Sequence, residues 1–275
     1  MKSETTDSAL DEIKRGQRFA FGDNWQKFLN EVSEEKINDA CNSLSAMLFV
    51  ENLRGKTFLD IGCGSGLFSL AATRLGANVT SFDYDPQSVA CTNELKRRFS
   101  TVENDWQVLS GSVLDKEFLH SLGQFDIVYS WGVLHHTGNQ MLALNNVDMC
   151  VKSEGMLFIA MYNYQKFASK YWLWIKKNYN RYRFLRGPLI IIHLIYPTIP
   201  SLIIKLLQGR KYPRGMSVRY DLYDWLGGYP FEVSKPEDIF HFYKALNYNL
   251  VNIVTVGGRM GCNEYVFVKG RQGSE

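Results

Sequence analysis

The run Phe58-Leu59-Asp60-Ile61-Gly62-Cys63-Gly64-Ser65-Gly66 places one acid and three glycines at the end of a hydrophobic stretch. A short apolar run bounded by glycines reads as a buried strand. The glycines after it permit a sharp turn and let a ligand approach the backbone closely. A helix beginning near Ser65 would aim its first amide N–H groups at an anionic group. Asp60 then suits a ligand that carries an amino group as well as a carboxylate. A second acid, Asp83, ends the run Asn78–Asp83 and is followed by Tyr84 and Asp85. In an open α/β sheet an acid at the end of the second strand holds a ribose hydroxyl pair, and a tyrosine beside it can cover a purine face. The third group is His135-His136, since a neutral imidazole near pH 7 can take a proton from a hydroxyl. Each group also has a plainer reading. The turn could be tight and empty, Asp83 could cap the helix that starts at Pro86, and the histidines could orient their own loop.

These residues need a scaffold that brings strand ends together. Glu34 to Phe49 has helical spacing, with Ile37, Cys41, Leu44 and Leu48 near one face. From 56 to 163 strands alternate with helices, as a parallel doubly wound sheet requires. Phe125–Ser130 reads as the fourth strand, Trp131 to His136 as the loop after it, and Gly155–Tyr162 as the fifth strand. Ser234-Lys235-Pro236-Glu237-Asp238 reads as a helix start, with Ser at the cap and Pro near the first turn. Leu250 to Val256 and Asn263 to Lys269, joined through Gly257-Gly258, read as an antiparallel hairpin.

The glycine spacing differs from the Gly-x-Gly-x-x-Gly of a dinucleotide fold, a pattern that would be weak evidence alone. The whole array, over roughly residues 56–163 in order, resembles the class I S-adenosylmethionine-dependent methyltransferases. The Leu134-His135-His136 loop most resembles the branch holding the ubiquinone and menaquinone methyltransferases and many natural-product O-methyltransferases. The resemblance implies a seven-stranded Rossmann-like doubly wound α/β sheet, with N-terminal helices and a basic and apolar insertion after the fifth strand. It implies S-adenosylmethionine as cofactor and S-adenosylhomocysteine as product. Asp60, Gly62, Cys63, Gly64 and Gly66 fall on the methionine-binding turn, Asp83 on the ribose acid, and Tyr84 or Asp85 on the adenine edge. Ser112 and Val113 follow the third strand, where the family holds the adenine amino group; many members carry Asp where this chain has Ser112. Ser130 completes the implied cofactor set, with Trp25, which could close over the cofactor or belong to the core. The fourth-strand loop lies nearest the transferred methyl, so His135 and His136 are the catalytic candidates. Trp131, Tyr162, Arg181, Arg214, Tyr229 and Glu232 are the candidates for the acceptor.

With 275 residues, 45% hydrophobic and 21% charged, the chain can bury one substantial core with a small added subdomain. Five scattered cysteines form no Cys-x-x-Cys pair, so neither a zinc knuckle nor an iron–sulfur site is expected, and no metal is needed. The polar first fifteen residues do not read as a signal peptide, so a reducing cytoplasmic location is expected. The expected organisation is an N-terminal extension over 1–50, a cofactor-binding core over 51–163, a capping insertion over 164–232, and a closing helix and hairpin over 233–270.

The net charge of +3 hides an asymmetry. Met156 to Tyr220 holds twelve Lys or Arg and no Asp or Glu, so the rest of the chain carries −9. That contrast suggests an anionic partner for the segment. Guanidinium groups such as Arg181 and Arg214 match phosphate or carboxylate bidentately, or they form a solvated basic face. Aromatics and bases interleave over 164–187, and 188–207 is strongly apolar but broken by Pro197 and Pro200. A membrane span needs about 20 unbroken apolar residues, so 164–210 is expected to touch a membrane peripherally if at all. The leading expectation is methyl transfer to an oxygen of a small-molecule, sugar-type or lipid-linked acceptor, anionic in character. The alternative is an RNA (tRNA) methyltransferase that uses the basic-aromatic segment for stacking. Against nucleic acid, Ser130-Trp131-Gly132-Val133 stands where an Asn-Pro-Pro-Tyr-like motif would serve base nitrogens. Oligomeric state is not readable.

Overall fold

A computed structural model describes residues 9–100, 105–193 and 225–271. Short helices α1 (Ala9–Lys14) and α2 (Phe21–Phe28) lead into α3 (Glu34–Leu48). The repeat follows as β1 (Thr57–Ile61), α4 (Leu67–Arg74), β2 (Asn78–Asp83), α5 (Pro86–Phe99), β3 (Trp106–Ser110), α6 (Lys116–Leu122) and β4 (Phe125–Trp131). It continues as α7 (Gln140–Asp148), β5 (Val151–Tyr162), α8 (Lys166–Arg181) and α9 (Arg186–His193). The described chain closes with α10 (Pro236–Ala245), β6 (Tyr248–Val254) and β7 (Cys262–Lys269).

The seven strands form one sheet in the order β3-β2-β1-β4-β5-β7-β6. β1 to β5 run parallel, and β7 pairs antiparallel with both β5 and β6. The order reverses between β1 and β4, and a doubly wound sheet opens a crevice at the carboxyl ends of its strands at that point. Helices α3, α4 and α5 bury one face, through Leu44, Leu70, Leu95 and the strand residues Phe58 and Phe158. Helices α7 and α10 bury the other, through Leu144, Tyr243, Leu59 and Phe267.

Short polar side chains set the helix starts. The Ser33 hydroxyl accepts from the Lys36 amide, Asp85 from Gln87, Asp115 from Phe118 and Asn139 from Leu142, each satisfying an amide that a helix start leaves open. α10 departs from expectation: its cap is Lys235 without a side-chain bond, because the Ser234 hydroxyl instead accepts from Gln140 Nε2.

The excursion after β5 leaves and returns at one place. Asn163 bridges Ser234, the Ser234 amide donates to the Tyr162 carbonyl, and the Tyr164 amide donates to the Ser234 carbonyl. Between those points α8 and α9 carry a core of their own, in which Trp172, Ile175, Tyr179 and Leu189 meet Leu226 and Phe231. Among the described residues no helix is long and apolar enough to cross a membrane. Of the apolar run 188–207, residues 194–207 lie outside the described residues, as does Arg214.

Candidate functional site

A cavity of about 770 Å³ opens at the carboxyl ends of β1, β2 and β4 and reaches β7, within the range that holds cofactor-sized ligands. Asp60, Gly62, Cys63, Gly64, Asp83, Tyr84, Asp85, Ser112, Val113, Trp25, Trp131, Tyr162 and His136 all line it. A strand–turn–helix, a second strand end and a loop separated widely in sequence thus meet in one space.

Asp60 is 2% exposed at the end of β1. Its Oδ2 accepts from Ser69 Oγ at 2.5 Å. Ser69 Oγ lies 2.7 Å from Ser81 Oγ, which in turn accepts from Trp106 Nε1 at 2.8 Å. Because the indole only donates, the chain of protons runs from Trp106 through both serines and fixes the carboxylate. Burial pushes the Asp60 carboxyl up to about 7, Ser69 opposing and Asp83 adding. No described basic side chain forms an ion pair with it.

The turn after β1 needs glycine for two different reasons. Gly62 has φ +76°, and a Cβ there would lie 2.4 Å from Val133 Cγ1, at the entry to the histidine loop. Gly64 has φ +55°, and a Cβ there would lie 2.9 Å from Trp25 Nε1. Trp25 therefore lies against the turn at the cavity wall, and its other side packs on the core cluster beneath α3 and α4.

Asp83 Oδ2 accepts from the Gly64 amide at 2.9 Å and Oδ1 from the Asp85 amide at 2.9 Å. Burial raises its pKa to about 6, against those two amides. Asp85 is committed elsewhere: Oδ1 caps α5 through Gln87, and Oδ2 accepts from the Gly22 amide at 3.0 Å. It ties α2 to α5. The Tyr84 hydroxyl donates to Glu12 Oε1 at 3.2 Å, and the Arg18 guanidinium sits 4.9 Å over its ring. The same arginine donates to Glu12 at 2.6 Å and to the His136 carbonyl at 3.1 Å. The N-terminal arm is thus latched across the cavity from the Tyr84 edge to the histidine loop, and Phe19 and Phe21 join its wall.

The two histidines differ. His136 Nδ1 lies 2.6 Å from the Pro230 carbonyl, an acceptor only. Nδ1 must therefore carry the proton, and Nε2 keeps its lone pair. Burial pulls its pKa down to about 3, with Lys176 and Arg18 adding and the Pro230 bond opposing. The ring stays neutral at pH 7. His135 is fully buried; its Nδ1 accepts from the Tyr162 amide at 3.3 Å and its ring lies 3.9 Å from the Tyr162 ring. Its Nε2 finds no hydrogen-bond partner among the described residues, and His135 is absent from the cavity wall.

Several expected positions fall elsewhere. Ser130 is fully buried and its hydroxyl donates to the Ile61 carbonyl at 3.1 Å; strand alternation turns it to the face opposite Tyr129 and Trp131. Glu232 accepts from the Gln140 amide at 3.0 Å and its own amide donates to the His135 carbonyl at 2.9 Å, so it caps the start of α7 and braces the loop. Tyr229 offers its carbonyl to the Phe19 amide at 2.9 Å, and its side chain is off the cavity wall. Arg181 is exposed in the last turn of α8, away from the cavity, its guanidinium over Tyr182. Gly66 is the N-cap of α4, set behind the wall against Thr92. Tyr129, Arg18, Met260, Cys262 and Glu264 line the cavity but were not among the expected site residues.

A doubly wound sheet with an antiparallel seventh strand, an acid–glycine turn and a second-strand acid defines the class I, Rossmann-like methyltransferase architecture. A family model described as "Methyltransferase domain" matches residues 31–198, more than half of the chain. The chain belongs to that family. It is 35% identical over 111 residues to the ubiquinone biosynthesis O-methyltransferase of Xanthomonas campestris pv. campestris, covering 40% of this chain and 45% of that protein. The namesake from Pseudomonas aeruginosa (strain UCBPP-PA14) is 34% identical over 113 residues, covering 40% and 46%. The chain thus spans less than half the length of these relatives in each match. The crystal structure of magnesium protoporphyrin IX methyltransferase from Synechocystis PCC 6803 with bound S-adenosylmethionine shares the fold. Its TM-score is 0.56 at 12% identity, covering 98% of this chain and 100% of that one.

Proposed function

We propose that the chain transfers a methyl group from S-adenosylmethionine to a hydroxyl oxygen of a small-molecule acceptor, with His136 taking the proton. The observation that carries this is the His136 tautomer. A buried, neutral imidazole at the cavity wall has Nδ1–H held by the Pro230 carbonyl and Nε2 left as a base.

The cavity fits the cofactor by its donor and acceptor set. Asp60 is a buried carboxylate at a cavity wall with a hydroxyl donor and no described basic ion-pair partner, which suits an amino group. Asp83 at the end of β2 suits vicinal hydroxyls, and Tyr84, Ser112 and Val113 bound the place for a flat ring. Bound S-adenosylmethionine supplies a methyl group already activated on a sulfonium. The chain then has to align the acceptor oxygen, accept its proton and exclude water. His136 accepts the proton, Arg18 and Pro230 hold the loop, and Phe19, Phe21, Trp25 and Tyr162 wall off solvent. His135 is a positioning residue that pins the loop to the end of β5.

A second reading concerns how the acceptor arrives. On α8 and the segment after it, Phe167 is 84% exposed, Phe184 76% and Trp174 58%, beside Lys166, Lys170, Lys177 and Arg183. Exposed aromatics among bases suit the headgroup layer of an anionic membrane and a lipid-linked acceptor. Flotation with vesicles of 30% phosphatidylglycerol tests it: co-migration that is lost in Phe167→Glu/Trp174→Glu supports this reading. Migration with neutral vesicles alone, or none, opposes it.

The primary test is methyl-labelled S-adenosylmethionine with a whole extract, RNA included, of cells lacking the protein. Label on an ether oxygen supports the proposal. Label confined to RNA supports the alternative instead.

A further inference from the structure

We propose that residues 9–21 form a strap that opens for cofactor exchange, with Arg18 as its latch and as a positioning residue for the histidine loop. The inference rests on the methyltransferase reading of the cavity.

The contacts of the strap begin at a glycine. Gly16 has φ +69°, and a Cβ there would lie 2.6 Å from the Asn180 carbonyl at the end of α8. Glycine lets the backbone cross α8 that closely. Two residues on, the Arg18 guanidinium joins three groups. It donates to Glu12 Oε2 at 2.6 Å and to the His136 carbonyl at 3.1 Å, and it lies 4.9 Å over the Tyr84 ring. Glu12 Oε1 accepts the Tyr84 hydroxyl at 3.2 Å. One guanidinium therefore spans the cavity from the end of β2 to the histidine loop. The Phe19 amide then donates to the Tyr229 carbonyl at 2.9 Å, and the Phe19 ring covers Gly227. The strap thus ties three parts of the fold together: the cofactor end, the histidine loop and the segment that returns from the insertion.

Its two ends are held differently. At the start of α2 the Gly22 amide is on Asp85, and Trp25 and Phe28 pack on the main core. That end is fixed. Ahead of it, Glu12 and Arg18 hold by polar contacts, with side chains 25% and 15% exposed. A segment held mainly by polar contacts opens at lower cost than one held by buried apolar area. Arg18, Phe19 and Phe21 line the same cavity as Asp60, Asp83 and His136, so a cofactor seated on the two acids has the strap for a roof. The latch also suits the chemistry below it. Burial raises the Asp83 carboxyl and the Arg18 charge opposes that; burial lowers the His136 ring and the same charge adds to it. The closed strap favours a charged acid and a neutral base together.

Stopped-flow tryptophan fluorescence of the full chain, with Trp25 on the Gly64 turn as reporter, follows binding and release of S-adenosylhomocysteine. A latch closed in both the free and the loaded chain slows entry and exit alike. Arg18→Gln should raise the association and dissociation rates together by about tenfold, the factor for loss of one charged hydrogen bond, with Kd within about threefold. Glu12→Gln keeps an acceptor for the Tyr84 hydroxyl and should act in the same direction, and the double variant should add little to Arg18→Gln. Amide hydrogen exchange without ligand, read by NMR, should quicken at Phe19 and Glu232 in Arg18→Gln but not at Gly22 or in the sheet, and Arg18→Lys should restore part of the protection. Should Arg18→Gln not fold, Glu12→Gln decides. Unchanged rates, or faster release with unchanged association, overturns the strap and leaves S-adenosylhomocysteine bound. Failure of the unmodified chain to bind it defeats the methyltransferase reading, and the strap with it.

Discussion

Replacing Asp60 by Asn keeps the shape of the side chain, removes its charge, and is expected to move stability and cofactor affinity in opposite directions. Burial holds the Asp60 carboxyl at about 7 against an ordinary 3.8. A rise of about three units corresponds to about 4 kcal/mol against the charged form, an upper bound on what the variant regains. The amide must itself be buried with an extra donor, which returns roughly 2–3 kcal/mol of that. A carboxyl with a folded pKa above its unfolded value binds more protons when folded, so this contribution to stability is lost as pH rises from about 4 to about 7. Without cofactor at pH 7.5, Asp60→Asn should therefore melt about 2–8 °C above the unmodified chain, for a gain of about 1–2 kcal/mol; at pH 4, where the carboxyl is already neutral, only the amide's cost remains and the variant should melt below the unmodified chain. On the proposed reading, the same carboxylate is the group offered to the cofactor's amino group. Losing a charged hydrogen bond costs about 1.5–3 kcal/mol, so S-adenosylhomocysteine should bind roughly ten- to a hundredfold more weakly at pH 7.5. Calorimetric titrations at pH 5.5, 6.5 and 7.5 complete the test. Affinity of the unmodified chain should rise with pH, while the variant retains the smaller dependence set by Asp83 at about 6. A variant that melts lower at pH 7.5 and binds as tightly would refute the reasoning.

His136→Asn keeps a donor toward the Pro230 carbonyl and removes the base; kcat should fall about 10²- to 10⁴-fold, with S-adenosylhomocysteine affinity within about threefold. Because burial holds the His136 pKa near 3, the kcat profile of the unmodified chain should show no limb near 6.5, and the acidic fall of kcat/KM should follow the carboxylates between about 6 and 7. Gly62→Ala should cost about 2–4 kcal/mol by thermal unfolding, from a left-handed φ and the Val133 contact, and Gly62→Ala/Val133→Ala should recover part of it. Glu232→Gln should lower the melting temperature by a few degrees while leaving S-adenosylhomocysteine affinity unchanged, since its carboxylate accepts from the Gln140 amide outside the cavity.

The turn and the second-strand acid were legible because their signals are local. Asp60 and the three glycines lie within seven residues, and Asn78–Asp83 matches β2 residue for residue. What failed was long-range. Ser130 looked like a lining residue until pairing of Asp60 with Tyr129 fixed which face of β4 meets the cavity. Glu232 looked like a pocket acid among aromatics, but its partner Gln140 is 92 residues away. Glu264 sits in an apolar-flanked strand, and only the β4–β5–β7 register brings it opposite Trp131. The histidines were inseparable in sequence because their roles are set by what Nδ1 meets, Pro230 in one case and the Tyr162 amide in the other. Arg181 followed from the charge run, and a run of charge does not say which side of a helix faces the cavity.

One measurement tests the central claim most directly. The purified chain is given methyl-labelled S-adenosylmethionine and a whole extract, RNA included, of cells lacking it, and the labelled product is read by fragmentation mass spectrometry, with His136→Asn in parallel. The account predicts label on an oxygen of a small molecule, lost in His136→Asn while S-adenosylhomocysteine still binds. Label on nitrogen, carbon or RNA, or turnover undiminished in His136→Asn, would contradict it.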